Sequence, residues 1–165
     1  MMRPSNPKIR TAAEIAASLE DISATVVLAN GCFDLLHPGH VMALQDAREQ
    51  GDLLVVLLNS DHSVRALKPG RPLYDQDTRA RMLAALACVD YVCIFDGPDC
   101  ADEIMTIAPH CYAKSEEYQG RQDPHEVRAL TTVGARIRWQ PRVGDWSTSA
   151  LVAACARAYL AEEGL

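Results

Sequence analysis

Residues 28–41 read LANGCFDLLHPGHV. An apolar run ends at a glycine, an acid follows, and two histidines stand three positions apart around Pro-Gly. The preceding run, TVVLANG (25–31), is β-branched and apolar with a glycine stop, the pattern of a buried strand. Beyond the histidines, Val41, Leu44, Ala47 and Arg48 recur at helical spacing, and Gly51 ends the run as a helix terminator does. The stretch is therefore a strand-to-helix turn.

The same alternation continues along the chain. DLLVVLLNSD (52–61) is uniformly apolar, as in a strand covered on both faces. SVRALKPGRPLYD (63–75), with Pro69, Gly70 and Pro72, predicts a loop, and a helix follows over about 76–88 with Met82, Leu83, Leu86 and Ala87 on one side. YVCIFD, HCYAK and ARIRWQ predict three more strands, and ADEIMTIA and PHEVRALTTVG two more helices. A last helix over about 147–161 carries Leu151, Val152, Cys155 and Tyr159 at core spacing. The expectation is an α/β chain with a Rossmann-like, doubly wound, parallel five-stranded sheet and helices on both faces, forming one domain over 1–165. Such sheets bind ligands at the carboxyl ends of their strands, where NGCFDLLHPGH falls.

Composition narrows the partners. The chain has 165 residues, 48% apolar and 23% charged, enough to bury a core without staples. A formal charge of −6 argues against nucleic acid as a partner. No apolar run approaches the roughly 18 residues of a membrane span, and the first residues lack the apolar stretch of a signal peptide. The expectation is a cytoplasmic protein with no membrane partner. Six cysteines are scattered singly, without zinc spacing, and read mostly as small buried hydrophobes. Within this acidic chain, Arg65, Lys68, Arg71, Arg79 and Arg81 form a basic segment, which suggests a small anionic ligand.

The opening stretch has the parts for that ligand. Gly31 permits close backbone approach, Pro38 pre-sets the first helical turn, and Gly39 leaves helix-start amides free for a phosphate. His37 and His40 can then act as donors to the negative charge that builds on phosphorus as pyrophosphate leaves, without any protein nucleophile. Neither GxGxxG nor GxxxxGK[ST] occurs. A capping role for the histidines, or metal binding with Asp34, remains the alternative, although no third metal ligand stands at obvious spacing.

GCFDLLHPGH resembles the signature of the HxGH nucleotidyltransferases, in their cytidylyltransferase-like branch. The similarity continues through ALQDAREQGDLLVVLLNSD, ALKPGRPLYDQDTRARMLAALACVDYV and WSTSAL, covering roughly 24–155. Within the branch the pattern is nearest the heptose 1-phosphate adenylyltransferases and next the glycerol 3-phosphate cytidylyltransferases. The resemblance implies transfer of a nucleoside monophosphate from a nucleoside triphosphate to a phosphorylated small-molecule acceptor. It also implies Mg2+ held mainly by nucleotide phosphates, with no protein metal site, and a homodimer.

Residue by residue, the resemblance assigns His37, His40 and Lys68 to catalysis. It assigns Asn30, Gly31, Cys32, Phe33, Gly39, Lys114, Arg142, Ser147 and Thr148 to the nucleotide, and Asp34, Asp61 and Arg79 to the acceptor. Two departures bear on specificity. AKSEEY carries Ser115 and Glu116 where heptose-specific relatives have two glycines, and Trp146 precedes Ser147. The competing readings are a cytidylyltransferase for a polyol phosphate or phosphonate, a non-catalytic nucleotide-binding module, and a metal-binding structural protein.

Overall fold

The computed structural model describes residues 6–142 and 144–163. Its elements run α1 (Ala12–Leu19), β1 (Val26–Gly31), α2 (Pro38–Arg48), β2 (Leu53–Asn59), α3 (Asp61–Leu67), α4 (Gln76–Ala84), β3 (Tyr91–Phe95), α5 (Ala101–Ile107), β4 (Cys111–Ser115), a short 3-10 turn (Glu116–Tyr118), α6 (Pro124–Val133), β5 (Arg136–Gln140) and α7 (Thr148–Glu163). The five strands are all parallel in the order β3-β2-β1-β4-β5. The chain winds outward from β1 to β3, then crosses back to β4 and β5. β1 thus lies at the switch point, where a crevice opens at the strand ends.

Burial follows from the strand pattern. From Leu54 to Asn59 every residue of β2 is buried, because the sheet is covered on both faces. On one face Val27, Ala29, Leu54, Val56 and Leu58 pack with Leu44 and Ala47 of α2 and Ala80 and Leu83 of α4. On the other, Val26, Leu28, Val55, Leu57 and Tyr112 pack with Ile15, Ile104, Ala129 and Leu130 from α1, α5 and α6. Each Val, Leu or Ile among them contributes about 1.5–3 kcal/mol by leaving water. The edge of β3 is partly closed by the N-terminal segment: Ile9 bridges Val92, with Arg10 N donating to Val92 O and Val92 N to Lys8 O.

Three expectations change. The predicted loop over 63–75 is helical at its start, because Ser60 caps α3 by accepting from Ser63 N, and the loop begins only at Lys68. Residues 12–19, not assigned from the sequence, form α1 behind a reciprocal Thr11/Glu14 capping box. The predicted core face of the last helix is not core: Val152 and Tyr159 are 37% and 63% exposed, and Cys155 is exposed. Helical spacing of apolar residues marks a stripe but does not say what covers it. Cys93, Cys100 and Cys111 are buried as expected of small apolar groups, while Cys32 and Cys88 are half-buried.

Candidate active site

The turn between β1 and α2 is organised by its own residues. His37 caps α2: its Nδ1 accepts from His40 N at 3.3 Å, and Pro38 occupies the first helical turn where no amide is missed. This fixes His37 Nε2 as the nitrogen left for a ligand. His40, one turn on, stacks its ring on His37 with centroids 3.6 Å apart, and Phe33 lies against its other side at 5.1 Å. Phe33 holds a left-handed backbone (φ 43°), a strained conformation for a side chain of this size. A Cβ at Gly31 would come within 3.1 Å of the Phe33 ring, and one at Gly39 within 3.2 Å of His37 Nδ1 and 3.3 Å of Trp146 Cβ. A side chain at either glycine would press the rings around the histidines aside by a few tenths of an ångström.

Burial disfavours the charged form of both rings. His40 is lowered to about 4, first by burial and then by repulsion from His37, and His37 is lowered by burial and by Arg142. At neutral pH the pair is uncharged. Among the described residues His40 Nδ1 is buried without a hydrogen-bond partner. An unpaired buried polar atom costs about 1–3 kcal/mol, and a ligand atom supplied to it recovers that cost.

The histidines open on a cavity of about 1030 Å³ at the strand ends, lined also by Asn30, Gly31, Cys32, Phe33, Asp34, Gly39, Lys68, Lys114, Arg142, Trp146, Ser147 and Thr148. Every residue assigned to catalysis or to the nucleotide lies on this one wall. Ser147 Oγ caps α7 by accepting from Ala150 N at 3.1 Å, so the start of a second helix faces the cavity beside α2. Lys68 stands exposed at the end of α3 and makes no ion pair among the described residues. Arg142 reaches Glu117 across the rim at 2.8 Å, with both side chains about half exposed. Such a pair is worth at most about 1 kcal/mol, so a phosphate can take the arginine over. Of the residues that depart from the family pattern, Ser115 and Trp146 reach the wall, together with Glu117 and Tyr118, whereas Glu116 does not.

The three residues assigned to the acceptor are arranged differently. Arg79 is 1% exposed and off the cavity wall. Its Nε donates to Tyr74 O, its Nη1 to Cys32 O and Asn59 O, and its Nη2 to Asp61 Oδ1 at 2.8 Å. Four of five donors are spent on the protein, so Arg79 and Asp61 knot the ends of β1 and β2 to α4 instead of presenting a phosphate grip. Asp34 lines the cavity, but its carboxylate accepts from Arg71 Nη1 at 2.8 Å and from Leu73 N at 2.6 Å, pinning the loop after α3. Burial alone would raise Asp34; the Arg71 and loop-amide bonds outweigh it and hold the carboxyl low. Sequence reasoning missed Arg71 and Glu126, which also line the cavity. Arg71 sits in the basic segment, but Glu126 reads as an ordinary acid in a first helical turn.

Comparison with known proteins places this site in a lineage. The curated proteins named "Bifunctional protein HldE" include one from Azorhizobium caulinodans, 43% identical over 87% of this chain and 33% of its own. Another, from Trichlorobacter lovleyi, is 40% identical over 98% of this chain and 33% of its own, and a third, from Syntrophotalea carbinolica, is 55% identical over 57% and 19%. The chain spans about a third or less of the length of these relatives. Among solved structures, a lipopolysaccharide core biosynthesis protein from Thermoplasma volcanium shares the fold with a TM-score of 0.60 at 24% identity, covering 73% of this chain and 97% of its own. A pantothenate synthetase from Thermus thermophilus does so at 0.54 and 17% identity, over 82% and 62%. Residues 28–144, from the last buried residues of β1 through the loop before α7, match the cytidylyltransferase-like family model, and the chain belongs to that family of nucleotidyltransferases.

Proposed function

We propose that the chain transfers a nucleoside monophosphate from a nucleoside triphosphate to the phosphate of a sugar phosphate, a heptose 1-phosphate, releasing pyrophosphate. The observation that carries this reading is the stacked, uncharged histidine pair at the start of α2 on the cavity wall, with His40 Nδ1 buried and without a hydrogen-bond partner among the described residues. Neutral imidazoles offer preformed donors whose benefit grows as charge builds on the departing phosphates. The start of α2 and the capped start of α7 add amide dipoles of the same sense. Lys68 and Arg142 supply mobile positive charge at the rim, and the cavity walls orient both substrates. The heptose follows from the resemblance in the central segment and from relatives named HldE at 40–55% identity.

Magnesium, when bound, would offset the charge of the triphosphate. Among the described residues no three His, Cys, Asp or Glu side chains are grouped to hold a metal, and the Asp34 carboxylate is already engaged by Arg71. The donor set therefore fits an ion carried by the nucleotide phosphates. The reading also takes the active form as a homodimer in the cytoplasm, where nucleoside triphosphates are available. Among the described residues no helix is long and apolar enough to cross a membrane.

The test is pyrophosphate release with magnesium, pairing ATP, CTP, GTP and UTP with a heptose 1-phosphate, hexose 1-phosphates, glycerol 3-phosphate and a phosphonate. Release with one nucleotide and a sugar 1-phosphate is expected, and His40→Ala should lower kcat about 100-fold or more. Release only with a polyol phosphate or phosphonate would replace the acceptor, and no release with any pair would overturn the reading.

A further inference from the structure

A buried polar cluster closes the floor of the cavity. Glu126, in the first turn of α6, is 5% exposed. Its Oε1 accepts from Asn30 Nδ2 and from Cys100 Sγ, both at 3.2 Å, and its Oε2 from Tyr112 Oη at 3.1 Å and Lys114 Nζ at 2.7 Å. Burial and then Cys100 and Glu126 push the Tyr112 phenol far up, and burial and Glu126 do the same to the Cys100 thiol, so both stay protonated. An ionised carboxylate has about four acceptor sites, and here all are taken. Glu126 has no capacity left for a ligand and acts through the groups it holds.

Two of those groups retain an open site. Lys114 spends one N–H on Glu126 and one on Tyr112 Oη at 3.3 Å, leaving its third for the cavity it lines. Asn30 spends its amide N–H groups on Glu126 and Cys100, leaving Oδ1 as an acceptor on the same wall. Ala29 pairs with Ala113 across β1 and β4, so Asn30 and Lys114 follow side by side. Ala29 and Ala113 pack with α2 and α4, whereas Leu28 and Tyr112 pack with α5 and α6. By strand alternation Asn30 and Lys114 face the second layer, away from the histidines of α2.

Attack on phosphorus places the incoming and leaving oxygens roughly in line. With pyrophosphate at the histidines, the acceptor enters from the side that Asn30 and Lys114 line. The Lys114 charge is already met by Glu126 at 2.7 Å, so this floor offers direction more than net charge. One donor beside one acceptor matches hydroxyl groups, each of which both donates and accepts, better than it matches a phosphate.

We infer that Glu126 is a positioning residue that fixes Lys114 and Asn30, which the resemblance gives to the nucleotide, instead as a donor and acceptor pair for the hydroxyls of a polyhydroxylated acceptor. This rests on the transferase reading above and names the part of the site that reads the sugar.

The test is calorimetric binding of a heptose 1-phosphate and its monodeoxy analogues to protein saturated with α,β-methylene ATP, for wild type, Glu126→Gln, Lys114→Met and the double variant. Circular dichroism checks each fold. Glu126→Gln should weaken acceptor binding at least tenfold while nucleotide affinity stays within twofold, and the double variant should lose less than the two single losses combined, because the Lys114 contact is shared and only Asn30 remains to be released. At least one deoxy analogue should lose affinity for wild type but not for the variants. Should Glu126→Gln fail to fold, Lys114→Met carries the same expectation alone. Equal losses for nucleotide and acceptor, additive losses in the double variant, or unchanged acceptor affinity would each overturn the inference. Turnover confined to acceptors without hydroxyls would overturn it and leave the transferase reading standing, whereas absent pyrophosphate release would sink that reading first.

Discussion

Neutralising His40 has a price in acid that can be worked from its environment. The ring has an ordinary value of 6.5 and is held at about 4 in the folded chain. Because the folded value lies below the unfolded one, the unfolded chain binds more protons between those limits, and stability falls as pH drops through them. The ratio of binding polynomials, (1 + 10^(6.5−pH))/(1 + 10^(4−pH)), converts to about 0.2 kcal/mol at pH 7 and about 2 kcal/mol at pH 5. His40 alone should therefore remove about 2 kcal/mol between those pH values, with the effect complete below pH 4. The assay is urea unfolding of wild type and His40→Gln at pH 7, 6 and 5. Carboxylates shared by both proteins cancel in the difference, and His37, shifted in the same direction, leaves a smaller fall in the variant. Parallel curves for the two proteins would refute the buried, uncharged state of His40.

Arg79→Met should destabilise the fold by about 3–5 kcal/mol in urea, since Asp61 and two strand-end carbonyls lose a buried cation; a stable variant with only a raised acceptor KM would restore Arg79 to the acceptor site. Lys68→Ala should leave the melting temperature within about 2 °C, because the side chain is exposed, yet lower kcat about 100-fold; unchanged turnover would remove Lys68 from the chemistry. Gly51→Ala should cost about 1–3 kcal/mol, read as a fall in melting temperature, because its Cβ would lie 2.5 Å from Thr25 O and 2.7 Å from Val27 Cγ2.

β1, β2 and β3 were legible because a well-covered sheet demands apolar runs, as in LLVVLLN of β2, and the edge strand β5, RIRWQ, by its alternation of charged and apolar residues. The histidine turn was legible for a related reason: glycine, proline and histidine at a strand end leave few structural alternatives. The Thr11/Glu14 capping box of α1 is also written in the sequence, as Thr followed three residues later by Glu. α3 was hidden by Pro69, Gly70 and Pro72, whose breaking effect begins only after Leu67. What composition could not show is depth. Arg79 and Glu126 look like surface charges in their helices, and only the meeting of distant segments, Asn30 with Glu126 or Cys32 with Arg79, buries them.

The strap over the edge of β3 has a consequence for the order of folding. The bridge from Ile9 to Val92 closes a loop spanning more than half the chain, and such a long-range pairing forms only after the intervening strands have found each other. Until it closes, the unpaired amides and carbonyls of β3 are open to any other extended chain. The chain is therefore most prone to aggregate in the interval before Lys8, Ile9 and Arg10 return to β3, and a variant that lacks them keeps that vulnerability for life.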